Sequence, residues 1–184
     1  MSTLPRRDDA PRVLVAGANG LLGRLLVDEL ARRGYRVRAA VRRAAPDLAA
    51  RVDSVHVGNG LRADGWLGAC DGVDTVISTV GASVDPSPFV GFRSYRRVDA
   101  PANRALIREA VRAGVRRFVY VSLVDADKER ELDYADGHEQ VVDALRAAAI
   151  PASVMRPTGF FAAMTALVDF ARRGLVPVFG DGSC

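Results

Sequence analysis

The run Gly17-Ala18-Asn19-Gly20-Leu21-Leu22-Gly23 constrains this chain more than any other stretch. It follows directly on Arg12-Val13-Leu14-Val15-Ala16, a short apolar run of strand type, and opens residues 21–33, where apolar side chains recur at helical spacing before Gly34. A strand, a glycine-rich turn and a helix in that order is the context in which spaced glycines acquire meaning. Gly17 permits the sharp turn, Gly20 lets the backbone approach an oxyanion, and Gly23 lets the helix lie against the sheet. Unpaired N–H groups at the helix start add donors and partial positive charge. A diphosphate suits such a turn best; the alternative is a glycine turn of purely structural use. No Gly-Lys-Ser/Thr follows, which excludes a nucleoside-triphosphate loop.

The alternation continues along the chain. Short valine-rich runs at 36–41, 54–57 and 74–80 read as strands. A helix is expected over 99–113, with an acidic start at Asp99 before Pro101 and a stop at Gly114. A fifth strand at 117–122, a helix at 134–148 and a sixth strand at 153–156, closed by Pro157, complete the series. Strands alternating with helices imply an α/β fold with a doubly wound parallel sheet, a three-layer αβα Rossmann arrangement. With 184 residues, 49% of them hydrophobic, the chain suffices for one domain with an ample core. Residues 1–11 read as a flexible N-terminal arm and residues 12–184 as the domain. Ligands of such sheets lie at the carboxyl ends of the strands, which directs attention to the segments after Ala16, Val41, Val57, Ile77, Val121 and Met155.

The second expected strand ends in Arg42-Arg43. Folds that prefer NAD place an acidic residue there to bind the ribose hydroxyls, whereas a guanidinium attracts the additional phosphate of NADP. Arg42, with Arg43 in support, therefore favours NADP(H) over NAD(H); the alternative is a pair of solvated surface arginines. The net charge of +4 does not point to nucleic acid, because the arginines are spread over several expected helices with no basic stripe interleaved with aromatics. Cys70 and Cys184 have no metal-ligand spacing, so neither a zinc site nor a disulfide framework is expected. With no leader-like segment and no run long enough to cross a bilayer, the chain is expected to be cytoplasmic and away from membranes.

Four stretches, G-A-N-G-L-L-G from Gly17, G-V-D-T-V-I-S from Gly72, A-G-V-R-R-F-V-Y-V-S from Ala113 and R-P-T-G-F-F from Arg156, occur in an order that spans almost the whole chain. Together they resemble the NmrA-like group of atypical short-chain dehydrogenases/reductases, which bind NAD(P)H. The resemblance implies that Asn19, Leu21 and Leu22 lie along the diphosphate. It also implies that Thr79, Val80 and Gly81 approach the ribose and adenine, and that Pro157, Thr158, Gly159 and Phe160 border the nicotinamide. After the third strand such proteins commonly carry Gly-Asp-Leu, where this chain has Gly58-Asn59-Gly60-Leu61; Asn59 can still accept from an adenine amino group, without charge.

Members of that group that reduce carbonyls use a serine, a tyrosine and a lysine four residues after the tyrosine. The chemistry needs a proton donor at the substrate oxygen and a cation that lowers the pKa of a phenol from about 10. Ser122 and Tyr134 occupy the matching positions, and the lysine position holds His138, one helical turn from Tyr134 on the same face. Lys128, the single lysine, precedes the tyrosine and cannot take that place. The catalytic reading of Tyr134 and His138 stands against a partly buried tyrosine beside an ordinary surface histidine. His56 reads as structural, and Glu139 is assigned no chemistry.

In such proteins the stretch beyond Phe160 leads to a further strand and a substrate region, whereas this sequence stops at Cys184. A C-terminally short domain would leave Phe160, Phe161, Met164 and Leu167 less covered, which favours homo-oligomer formation or low stability. Two functions follow from the resemblance: an oxidoreductase passing hydride to a small carbonyl, quinone or enone, or a non-catalytic NADP(H) sensor that binds a protein partner.

Overall fold

The computed structural model describes residues 10–81, 95–158, 160, 168 and 171–174. Six strands, β1 (Arg12–Ala16), β2 (Arg36–Val41), β3 (Ser54–Val57), β4 (Thr75–Ser78), β5 (Arg117–Val121) and β6 (Ala152–Met155), form one sheet in the order β3-β2-β1-β4-β5-β6. Every pairing is parallel, with Val15 opposite Ala39 on one side and Ile77 on the other. Helices α1 (Leu21–Arg32), α2 (Pro46–Ala49), α3 (Tyr95–Arg112) and α4 (Asp133–Ala147) connect them. The doubly wound Rossmann fold expected from the alternation is the fold observed, and the strand order reverses between β1 and β4, beside the glycine turn.

β1 shows why the chain folds this way. Its side chains alternate between the two faces of the sheet, so a central strand must be apolar at every position. Val13 and Val15 pack with Val27, Val37, Val41 and Leu48, whereas Leu14 and Ala16 pack with Leu106, Phe118, Tyr120, Val141 and Leu145. One layer is thus made by α1 and α2 and the other by α3 and α4. Gly34 ends α1 as expected, its N–H bonding the Ala31 carbonyl while that of Tyr35 reaches Leu30. Gly114 ends α3 through the equivalent bonds to Val111 and Ala110.

Two boundaries differ from expectation by more than a residue, and one element was not expected. α3 starts at Tyr95, a full turn before Asp99, so that Pro101 lies inside the helix and has no N–H to give the carbonyl four residues earlier. The helix persists because Ala102, Leu106 and Ala110, at helical spacing, are buried, the last two in the core with Leu14 and Phe118 of the sheet. β4 stops at Ser78, because Thr79 turns its N–H and its hydroxyl back onto the Ala16 carbonyl. α2 was not foreseen: Pro46 opens it and Leu48, its one buried residue, fills the layer beneath α1. Residues 1–9 of the expected arm, Gly159, Phe161, Met164, Leu167 and Cys184 lie outside the described residues, as does most of the stretch after Phe160. Among the described residues no helix is long and apolar enough to cross a membrane.

Candidate functional site

The glycine turn is tied to the sheet before it meets any ligand. The N–H groups of Gly17 and Ala18 both bond the Ala40 carbonyl at the end of β2, and that of Gly20 bonds the Gly17 carbonyl at 2.9 Å. Gly17 has φ +80°, and a β-carbon there would stand 2.7 Å from the Thr79 hydroxyl and 3.0 Å from its carbonyl oxygen. A β-carbon on Gly23 would stand 2.2 Å from the Gly17 carbonyl oxygen. These two residues close the turn tightly enough that α1 begins against β1. The start of α1 has no side-chain cap and no acidic residue in its first turn, while Asn19, Gly20 and Leu21 are exposed and Leu22 is half-buried. An uncapped helix start behind a cradle that a β-carbon would fill fits a diphosphate: its amides supply the donors and no carboxylate competes.

On the β2 side, Arg42 and Arg43 are exposed at the carboxyl end of the strand and, among the described residues, unpaired. Arg24, unforeseen, reaches the turn from α1: its guanidinium bonds the side chain of Asn19 and, at 2.6 Å, the carboxylate of Asp47 on α2. The Arg24 guanidinium holds the Asp47 carboxyl below the usual carboxylate range. Asn59 is half-buried, and its side-chain oxygen accepts the N–H of Leu61 at 3.2 Å. On the β4 side, Thr79 gives its hydroxyl to Ala16 at 2.9 Å and so buttresses the glycine turn. Val80 is held from both sides, its N–H near the Ser78 hydroxyl and its carbonyl accepting from the Asn103 amide at 3.0 Å; Gly81 is exposed beyond it. The Ser78 hydroxyl bonds Asn103, which is fully buried on α3 and also bonds the Asp99 carbonyl. Sequence reasoning missed Asn103; the signal was a lone amide among the apolar positions of α3.

Of the candidate catalytic residues, Tyr134 and His138 meet on α4, where His138 also touches Tyr120 of β5. Phe118, Tyr120 and Ser122 alternate onto one face of the sheet, the face that α4 covers. Ser122 is buried, and its hydroxyl has no hydrogen-bond partner among the described residues. Tyr134, in the first turn of α4, is 36% exposed, and its ring stands edge-on to that of His138 with centroids 5.1 Å apart. His138 is no surface histidine: it is buried, and the Tyr120 hydroxyl lies 2.7 Å from its Nδ1. Burial pushes the His138 pKa down to about 4, with Arg156 adding to the effect and Glu139 opposing it. The residue one helical turn after Tyr134 is therefore a neutral ring at pH 7. His56 donates from Nε2 to the Gly65 carbonyl and stacks on Trp66, a structural role. Burial raises the Cys70 thiol to about 12, which leaves it inert as a nucleophile.

A consequence for stability follows. Because His138 accepts a proton less readily folded than unfolded, its reference pKa being near 6.5, stability is full above that value and falls as the pH drops toward 4. Between pH 7 and pH 5 the expected loss from this one group is about 2 kcal/mol. Urea unfolding at the two pH values checks it: His138→Gln should flatten the difference, and an unchanged difference would remove His138 as its source.

The segment that follows β6 is anchored by an ion pair. Glu139, fully buried on α4, accepts from the Arg156 guanidinium at 2.8 Å, and Arg156 also lies within 3.6 Å of Asp127. Glu139 holds the Arg156 pKa above its ordinary value. Arg156 follows β6 and precedes Pro157, which is half-buried and whose carbonyl accepts the Val124 N–H at 2.9 Å. Thr158 is exposed, and Phe160 is 42% exposed.

A doubly wound parallel sheet whose topological switch point carries an uncapped, glycine-lined helix start defines a dinucleotide-binding protein of the Rossmann class. The chain belongs to the NAD(P)H-binding family, whose sequence profile matches residues 17–166. It is 32% identical over 152 residues to a ceramide reductase of Caulobacter vibrioides, covering 81% of this chain and 46% of that protein. It is likewise 32% identical over 202 residues to a chloroplastic divinyl chlorophyllide a 8-vinyl-reductase of Oryza sativa, covering 97% of this chain and 48% of that protein. Among solved structures, the NADPH-dependent quinone oxidoreductase of Escherichia coli complexed with NADPH superposes with a TM-score of 0.66 at 25% identity, over 86% of this chain and 54% of that one. The chain thus spans about half the length of these relatives. The family agrees with the resemblance drawn from the motifs.

Proposed function

We propose that the chain is an NADPH-dependent oxidoreductase, or the cofactor domain of one, that reduces a small carbonyl, quinone or enone. The observation that carries the reading is the uncapped start of α1 behind the Gly17 and Gly23 cradle, within a family of NAD(P)H-binding proteins. When bound, the nicotinamide supplies hydride. Gly17, Asn19, Gly20, Leu21, Leu22 and Gly23 hold the diphosphate, and Arg42 with Arg43 attracts the additional phosphate of NADP. Asn59, Thr79, Val80 and Gly81 border the adenosine side, and Pro157, Thr158, Gly159 and Phe160 border the nicotinamide. Tyr134 gives its proton to the substrate oxygen, Ser122 donates a hydrogen bond to the same atom, and His138 orients the tyrosine.

A second reading, a non-catalytic NADP(H) sensor with a protein partner, is favoured by one observation: the residue in the lysine position is buried and neutral. One experiment separates the two. Nicotinamide fluorescence titrations should give NADPH about tenfold tighter binding than NADH, about 1.4 kcal/mol, and Arg42→Ala should erase the preference. Turnover on a panel of carbonyls, quinones and enones should then fall about 10²-fold or more in Tyr134→Phe. Equal affinities would remove Arg42 as the phosphate clamp. A wild type as inactive as Tyr134→Phe, yet binding cofactor, would replace the oxidoreductase by the sensor.

A further inference from the structure

We infer that Tyr120 is a positioning residue that holds His138 as its Nε2–H tautomer, so that the histidine meets the candidate catalytic site as a neutral hydrogen-bond donor and not as a base. The inference rests on the functional reading above for its use, but its geometry is independent of it.

Tyr120 is fully buried, and its hydroxyl lies 2.7 Å from His138 Nδ1. Two arrangements of the protons are conceivable. If Nδ1 carried the proton, it would donate to the phenol oxygen, and the phenol's own proton would then face a dry interior without an acceptor among the described residues. If the phenol donates to a bare Nδ1, the fully buried phenol is satisfied, and the ring proton resides on Nε2 of His138, the less buried of the two residues at 7% exposure. The second arrangement wins because a buried donor without an acceptor loses its hydration and gains nothing for it. The same burial disfavours the imidazolium, in which both nitrogens would donate, and it holds the Tyr120 phenol protonated well above its ordinary range.

The consequence bears on the lysine that this position lacks. Tyr134 presents its ring edge-on to His138 at 5.1 Å, and Ser122 lies two residues beyond Tyr120, immediately after the end of β5. With Nδ1 closed by Tyr120, the nitrogen left to act on that side is a donor. His138 therefore orients an oxygen without drawing a proton from it, and it adds no ionisation near neutral pH to the candidate site.

Long-range proton–nitrogen correlation spectra of histidine-labelled, cofactor-free protein at pH 7 test this without any turnover assay. The chain has two histidines, so His56→Gln assigns the pair. For His138 the expected pattern is a protonated Nε2 and an unprotonated Nδ1, the latter shifted toward the protonated range by its hydrogen bond, together with a slowly exchanging Tyr120 hydroxyl proton. In Tyr120→Phe the Nδ1 shift should disappear and the Nδ1–H form should rise several-fold. A wild-type spectrum with Nδ1–H or with both nitrogens protonated overturns the proposal, and so does a Tyr120→Phe spectrum identical to the wild type. Should Tyr120→Phe fail to fold, the wild-type pattern and the hydroxyl exchange rate decide alone. Absence of turnover would count against the oxidoreductase reading and leave these spectra unaffected.

Discussion

Gly23→Ala is expected to weaken NADPH binding by about 100-fold, close to 3 kcal/mol, and to lower the melting temperature as well. The β-carbon would be placed 2.2 Å from the Gly17 carbonyl oxygen and 2.9 Å from its carbonyl carbon, both backbone atoms that no rotamer change can move. Relief requires α1 to back away from β1, which misplaces the amides at its start and opens the layer around Val27. Overpacking of this kind costs about 1–3 kcal/mol of stability, or roughly 3–10 °C in a domain of this size. Gly20→Ala is the informative comparison. Its backbone is extended, at φ −76° and ψ 172°, and a β-carbon would meet only the Gly17 carbonyl, at 3.2 Å. The fold should melt near the wild-type temperature, while binding still falls because the methyl group stands where a phosphate must approach. Thermal melts beside fluorescence titrations read both quantities. If Gly23→Ala binds cofactor as the wild type does, the cradle does not hold a diphosphate.

The glycine turn was legible in the sequence because its conformation is local: three residues without side chains, a strand before them and a helix after them leave the backbone little choice. The parallel sheet was legible for a related reason. Strands buried on both faces must be apolar throughout, and β1, with Val13, Leu14, Val15 and Ala16 all buried, declares this in four consecutive residues. α2 escaped because four residues are too few for any period, and only tertiary burial of Leu48 makes them a helix. The start of α3 escaped because Asp99-x-Pro101 has the chemistry of a helix start. The packing of Ala102, Leu106 and Ala110 overrides it, and the proline is carried inside the helix.

In the candidate site, what was legible was the identity of residues on a strand end or one helix face; what was not was who holds them. The spacing of Tyr134 and His138 announced their contact, but a histidine followed by Glu139-Gln140 reads as solvated, and its buried partner is Tyr120, eighteen residues earlier. Thr79 illustrates the same limit. Its place after β4 was foreseen, while its hydroxyl bond to Ala16, across 63 residues of chain, could not be. Long-range partners such as Asn103 for Ser78 and Arg24 for Asp47 leave no periodic trace, because a hydrogen bond between distant segments imposes no spacing on either.

Glu139 is the clearest case, and Arg156 supplies its test. A carboxylate beside the candidate histidine was assigned no chemistry, yet it is 1% exposed and tied to Arg156 at 2.8 Å, with Arg130 farther away at 3.9 Å. Removing one member of a buried ion pair leaves the other without compensation, at a cost of about 3–5 kcal/mol. Arg156 keeps 26% of its side chain exposed and Arg130 remains nearby, so Arg156→Met should fall at the lower end, about 3 kcal/mol, or some 6–12 °C in melting temperature. Glu139→Leu with Arg156→Met should recover most of that loss, because two apolar side chains of similar volume need no solvation. The pair also joins α4 to the end of β6, immediately before Pro157 and Thr158. The double variant should therefore keep its stability yet bind NADPH less tightly than the wild type, since the tie that aims the segment after β6 is gone. Urea unfolding of the single and double variants, with fluorescence titration of the double, separates these effects. An Arg156→Met protein within about 1 kcal/mol of the wild type would mean that solvent or Arg130 already neutralises Glu139, and that the segment at Pro157 is positioned by the strand alone.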